Sequence, residues 1–121
     1  TAAIAGVPQS VRQPTATLLA NELGTVNLLQ ASTKHGVGRF VNISSGSVYG
    51  DAVYQPLDEK HQTKPKSPYG VSKLAAENYC RVYADLFKLN TVSLRYTAVY
   101  GPRQRIIKDG GGELALSPKV V

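Results

Sequence analysis

Arg39-Phe40-Val41-Asn42-Ile43, followed at once by Ser44-Ser45-Gly46-Ser47, is the stretch that decides the fold. Phe40, Val41 and Ile43 put apolar side chains on both faces of a short β-rich run, the pattern of a strand buried on both sides in a parallel sheet. In open α/β sheets ligands bind beyond the C-terminal ends of the strands, so the serines that follow stand where a ligand would sit. Elsewhere such serines are turn formers.

Upstream of this strand, Thr1 to Gln13 mixes alanine with Gly6 and Pro8, which predicts a strand exit and then a loop or short helical turn. Pro14 suits a first helical turn. Leu18, Leu19, Leu23, Val26, Leu28 and Leu29 then recur at helical spacing, broken by Gly24, until Gly36 and Gly38 close the helix. Asn21 lies inside it, where an asparagine is usually solvated or bonded to its own backbone.

Downstream, Val48 to Pro68 is a polar, proline-containing connection longer than usual, which predicts a binding loop. Ser67-Pro68 caps a second long helix, Tyr69 to about Lys88, with Val71, Leu74, Ala75, Val82 and Leu86 expected on its buried side. Thr91 to Arg95 reads as the next strand and Tyr96 to Pro102 as the loop at its end. Helix, strand, helix, strand in this order gives an α/β class, a parallel sheet with crossover helices. From Arg103 on, the pattern dissolves into charges and Gly110-Gly111-Gly112.

Tyr69 and Lys73 stand four residues apart at the start of the second helix, so they share a face and can converge on one bound molecule. A lysine cation about 5 Å from a phenol, at an effective dielectric of about 20, favours the phenolate by roughly 3 kcal/mol. Such a pair can do proton chemistry.

The chain of 121 residues suits one domain, and 42% hydrophobic residues is ordinary for a globular protein. The net charge of +6 is carried by scattered residues such as Arg12, Lys34, Arg39 and Lys60 rather than by a stripe. An anionic small molecule is therefore the expected partner, with no nucleic acid. Cys80 is the one cysteine, which leaves no disulfide or zinc cluster within the chain and points to a reducing, cytoplasmic setting. No apolar run approaches the 18 residues of a spanning helix, and no membrane partner is expected. Thr1 opening directly on Ala2-Ala3-Ile4-Ala5 reads as a piece of something longer.

Four ordered motifs carry a resemblance: Ser44-Ser45-Gly46-Ser47-Val48-Tyr49-Gly50; Ser67-Pro68-Tyr69-Gly70-Val71-Ser72-Lys73; Leu94-Arg95-Tyr96; and Val99-Tyr100-Gly101-Pro102-Arg103-Gln104. Together they resemble the NAD-dependent epimerase/dehydratase family, the extended short-chain dehydrogenases/reductases. The likeness covers about residues 1 to 104, which would form the central and C-terminal part of a Rossmann-like NAD-binding domain. Residues 105–121 stay unassigned.

By position, the resemblance implies that Tyr69 is the catalytic base and that Lys73 lowers its pKa and holds the nicotinamide ribose. Ser45 would hydrogen-bond the reacting sugar oxygen, with Gly46 and Ser47 beside it at the substrate. Asn21 would support the site, and Ala2 and Ala3 would pass along the dinucleotide. No metal is implied. Family dehydratases usually carry an acidic residue where Ser47 stands, so the resemblance favours a nucleotide-sugar 4-epimerase of the UDP-glucose or UDP-glucuronate type. A dehydrogenase or reductase shares every one of these residues, and a non-catalytic interaction module is the other alternative.

Two departures stand out. The family's usual Arg-Tyr-Phe-Asn is here Arg95-Tyr96-Thr97-Ala98, and no glycine-rich phosphate loop occurs in the sequence. The isolated chain is therefore expected to bind NAD weakly or not at all. A homodimer through the two long helices is expected from apolar residues beyond one stripe: Leu19, Val26 and Ala31 on the first, Tyr79, Tyr83 and Phe87 on the second.

Overall fold

The structure is a computed structural model that describes residues 3–97, 99 and 102. Ala2, Ala98 and the glycine-rich stretch read after Arg103 lie outside the described residues.

Gly6 caps a short helix α1 (Val7–Arg12), with Pro8 in its first turn. Pro14 starts α2 (Pro14–Leu18), which runs without interruption through a wide turn, Leu19–Leu23, into α3 (Gly24–Lys34). Gly24 does not break this helix. Its φ of −57° and ψ of −43° are helical, and its N–H reaches back five residues to the Leu19 carbonyl. The irregularity is the π-type turn before it, which takes in one extra residue and re-phases the helix. That turn carries Asn21 inward, to 3% exposure, while Leu19 and Leu23 face out.

Gly36 then ends α3 as expected. At φ +65° it lets its own N–H bond the Thr33 carbonyl at 3.3 Å and the Val37 N–H bond Ser32 at 2.9 Å. This is the Schellman arrangement, in which glycine avoids a Cβ penalty.

Strands β1 (Phe40–Ser45) and β2 (Thr91–Tyr96) pair in parallel, Phe40 opposite Thr91 and Ser45 opposite Tyr96. Helix α4 (Pro68–Phe87) makes the crossover between them, as the α/β reading requires. Ser67 caps it, its Oγ accepting from the Gly70 N–H at 3.1 Å. Lys88, in the left-handed region at φ 57°, ends it, close to where the sequence pattern stops.

Two burial expectations are corrected. The buried stripe of α4 is Ser72, Ala76 and Cys80, at i, i+4 and i+8, whereas Val71, Val82 and Leu86 are exposed. Small residues let the neighbouring helix and sheet approach, and the larger side chains are left outside. Strand β1, in turn, is not covered on both faces among the described residues, since Val41 is 49% exposed. Beyond Phe40, the sheet face against α4 is polar. It presents Asn42 and Ser44 from β1 with Thr91, Ser93 and Arg95 from β2. Asn42 Nδ2 donates to Ser93 Oγ at 3.1 Å, and Thr91 Oγ1 to the Cys80 carbonyl at 3.1 Å, so these groups are satisfied rather than stranded.

Leu29, Cys80 and Leu89 form a small core, with Phe40 and Tyr83 packed against it. Tyr83 therefore belongs to the core rather than to surplus surface. Among the described residues no helix is long and apolar enough to cross a membrane.

Candidate active site

The first turn of α4 is seated directly on the short 3-10 turn, Gly46–Val48, that follows β1. Gly70 makes this possible, because a Cβ there would lie 2.6 Å from the Ser47 carbonyl oxygen, inside contact distance. Tyr69, one residue earlier, is thereby held at the C-terminal edge of the sheet, the edge where Ser45 ends β1 and where such folds bind ligands.

Lys73 lies one turn further along the same face. Its Nζ donates to the Ile43 carbonyl at 2.8 Å and stands 5.8 Å from the centre of the Tyr69 ring. Burial holds its ammonium below the ordinary lysine pKa. An ammonium has three protons, and this bond uses one, so two remain for a ligand. Ser45 Oγ accepts from the Ser47 N–H at 3.2 Å, capping the turn, and its own proton is left to donate. Gly46 and Ser47 form the rest of that turn. Serine at the end of the strand is thus both turn former and half-buried donor.

Asn21 sits behind α4. Its Oδ1 accepts from the Ile4 N–H at 2.9 Å and its Nδ2 donates to the Ile4 carbonyl and to Ser72 Oγ, both at 3.0 Å. Ser72 Oγ in turn donates to the Tyr69 carbonyl at 2.8 Å. A mid-helix asparagine is usually solvated or bonded locally; this one is a buried bridge from the segment after Ala3 to the helix that carries Tyr69. Its odd location in the wide turn is what permits this.

Ser72, Glu77 and His61 carry no role in the sequence reading. Ser72 is carried by the small-residue stripe. Glu77 continues the Tyr69, Lys73 spacing by one more turn, a signal the sequence did contain. It pairs with Arg95 at 2.7 Å, and the Glu77 carboxylate, outweighing burial, drives the Arg95 pKa above the usual arginine range. His61, buried in the long loop, accepts from the Val53 N–H on Nε2 at 2.9 Å and lies 2.8 Å by Nδ1 from the Gln62 carbonyl. These partners fix the Nδ1–H tautomer. The loop expected to bind ligand is anchored here, with Tyr49 and Tyr54 packed on the imidazole at 5.6 and 4.8 Å.

A cleft of about 570 Å³ runs beside β2, lined among others by Tyr49, Asp58, Glu77, Arg95 and Tyr96. Tyr69, Lys73 and Ser45 are not among its walls. Among the described residues no group of three His, Cys, Asp or Glu side chains is placed to hold a metal.

The family model described as the NAD dependent epimerase/dehydratase family matches residues 1–113. The UDP-glucose 4-epimerase of Mycolicibacterium smegmatis is 39% identical over 104 residues, 85% of this chain and 33% of that protein. The GDP-6-deoxy-D-mannose reductase of Pseudomonas aeruginosa is 49% identical over 77 residues, 61% of this chain and 25% of that protein. Among solved structures, the UDP-glucose 4-epimerase of Thermus thermophilus in complex with NAD superposes with a TM-score of 0.82 at 43% identity, over 87% of this chain and 34% of that one. The chain spans a quarter to a third of the length of these relatives. Its parallel strands and crossover helix are part of a Rossmann-like sheet.

Proposed function

The chain belongs to the NAD dependent epimerase/dehydratase family, and from that premise we propose that it carries the proton-transfer end of a nucleotide-sugar 4-epimerase site. The observation that carries this reading is the shared face of Tyr69 and Lys73, bolted by Lys73 Nζ to the Ile43 carbonyl beside Ser45. The similarity to UDP-glucose 4-epimerases supports a UDP-hexose substrate, with UDP-glucuronate a close relative in chemistry.

The cofactor of the family is NAD, and the donor set present suits one part of it. The two remaining ammonium protons of Lys73 match ribose hydroxyls, while Asn21 holds the Ile4 backbone where the chain follows Ala2 and Ala3. When bound, NAD would accept the C4 hydride and give it back. The residues of this chain handle the proton. Tyr69 takes it from the 4-hydroxyl and later returns it, Lys73 stabilises the phenolate by its charge, and Ser45 donates to the same sugar oxygen. Gly46 and Ser47 shape the turn beneath the sugar.

A second reading, a nucleotide-sugar reductase, is favoured by the 49% identity to a GDP-6-deoxy-D-mannose reductase. Interconversion of UDP-glucose and UDP-galactose with bound NAD, free of net oxidation, supports the epimerase. Stoichiometric consumption of a reduced nicotinamide by a keto-sugar supports the reductase. Absence of both reactions supports a non-catalytic module.

We further propose a homodimer through the two long helices, where Leu19 of the first and Tyr79 and Phe87 of α4 stay exposed. Light scattering at tens of micromolar tests it, and a monomeric mass would rule it out.

A further inference from the structure

One carboxylate ties α4 to both strands next to the proposed site, and the inference drawn from it rests on the epimerase reading. Glu77 follows Tyr69 and Lys73 on one face of α4 at i, i+4 spacing. Its Oε1 accepts from Ser44 Oγ at 2.5 Å and from Arg95 Nε at 2.9 Å, and its Oε2 accepts from Arg95 Nε at 3.2 Å and from a terminal Arg95 nitrogen at 2.7 Å. The two side chains are only 10% and 23% exposed. Ser44 immediately precedes Ser45 and lies opposite Arg95 in the sheet. The other side of the Arg95 guanidinium stacks on Tyr49, 4.8 Å from the ring centre, at the far end of the Gly46–Val48 turn.

A forked arginine–carboxylate pair fixes orientation as well as distance. Reacting groups must be held within about 0.5 Å of their productive geometry by neighbours that are themselves locked. We propose that Glu77 is a positioning residue, setting the separation between Tyr69 and Lys73 on α4 and Ser45 at the end of β1 by gripping Ser44 and Arg95. It touches none of the three proposed reacting groups and works through the strand ends.

Glu77→Asp tests this in the full protein, because it keeps the charge but withdraws the carboxylate by one methylene. With UDP-glucose as the probe, kcat should fall about ten-fold or more, as for displaced reacting groups, while KM stays within about two-fold. In a Ser45→Ala background the same change should alter kcat by less than about two-fold, since the hydroxyl being positioned is gone. Amide exchange at Ser47, whose N–H bonds Ser45 Oγ, should rise about ten-fold with that of Leu29 unchanged. Glu77→Gln, of the same shape, replaces Asp if the shorter side chain prevents folding.

Equal losses in both backgrounds, or faster exchange at Ser47 and Leu29 alike, would mean that Glu77 only stabilises the fold. An unaltered kcat would overturn the proposal outright. If the unsubstituted protein does not turn over UDP-glucose, the epimerase reading fails by itself, and the exchange comparison alone decides the role of Glu77.

Discussion

The two faces of the β1–β2 sheet are built on opposite principles. Toward α4 the strands present Asn42, Ser44, Thr91, Ser93 and Arg95, each tied to a partner by hydrogen bonds or an ion pair. Away from α4 they present Val41, Val92 and Leu94, all exposed among the described residues. Beyond Phe40, which packs against the Leu29, Cys80 and Leu89 core, the usual order, apolar in and polar out, is reversed. Apolar contacts give stability without fixing direction, whereas hydrogen bonds fix direction and gain little net energy. A face wired in this way makes sense if its purpose is to hold α4, and with it Tyr69 and Lys73, at one height over the strand ends.

The contrast can be broken or sharpened by experiment. The largest effect is expected at the wired end itself, where Tyr69→Phe should lower kcat by roughly 10² to 10⁴, the span typical of a lost general base. Turnover close to normal would move the base elsewhere. Next comes the seat of the helix. Gly70→Ala places a methyl 2.6 Å from the Ser47 carbonyl oxygen, and the strain should cost about 1–3 kcal/mol in urea unfolding. An unchanged midpoint would show that α4 can lift off the turn at no expense.

Ser72→Ala removes the acceptor of Asn21 Nδ2 and leaves a buried amide proton unpartnered, at about 1–2 kcal/mol. Val41→Thr, on the open face, should by contrast move stability by no more than about 0.5 kcal/mol in the 121-residue chain. A larger loss there would mean that the face is covered in solution.

The smallest effect is in pH dependence. Burial lowers the Lys73 pKa in the fold below the ordinary 10.5. Between those two values the unfolded chain binds more protons than the folded one, so Lys73 makes stability rise with pH across that window. Lys73→Met should flatten the rise, and identical pH profiles for the two proteins would place the ammonium in water.

Much of this was legible in the residues, because it is governed by neighbours in sequence. Gly36 as a helix stop, Ser67-Pro68 as a helix start, both strands, and the spacing of Tyr69 and Lys73 are local signals, and the structure places each of them as read. What escaped depends on partners far along the chain. Ser44 is drawn inward by Glu77, and His61 by Val53 within a loop that has no periodicity; for Asn21 the resemblance implied a supporting place but not its partners, Ile4 and Ser72. A polar residue facing a buried partner looks the same in sequence as one facing water. The stripe of α4 escapes for a related reason: apolarity does not mark burial there, because close approach to the sheet and to α2 and α3 selects small side chains such as Ser72 and Ala76.

The wide turn at Leu19–Leu23 carries a consequence for how this chain tolerates change in length. An i to i+5 turn holds one residue more than a regular helix, so deleting any single residue from it would restore an unbroken α-helical ladder from Pro14 to Lys34. The faces on either side would stay in register, because i to i+5 in the wide turn and i to i+4 in an α-helix bring the chain round by about the same rotation. The turn is thus a place where the helix absorbs a change of one residue, with Thr17 before it and Leu29 after it both kept buried.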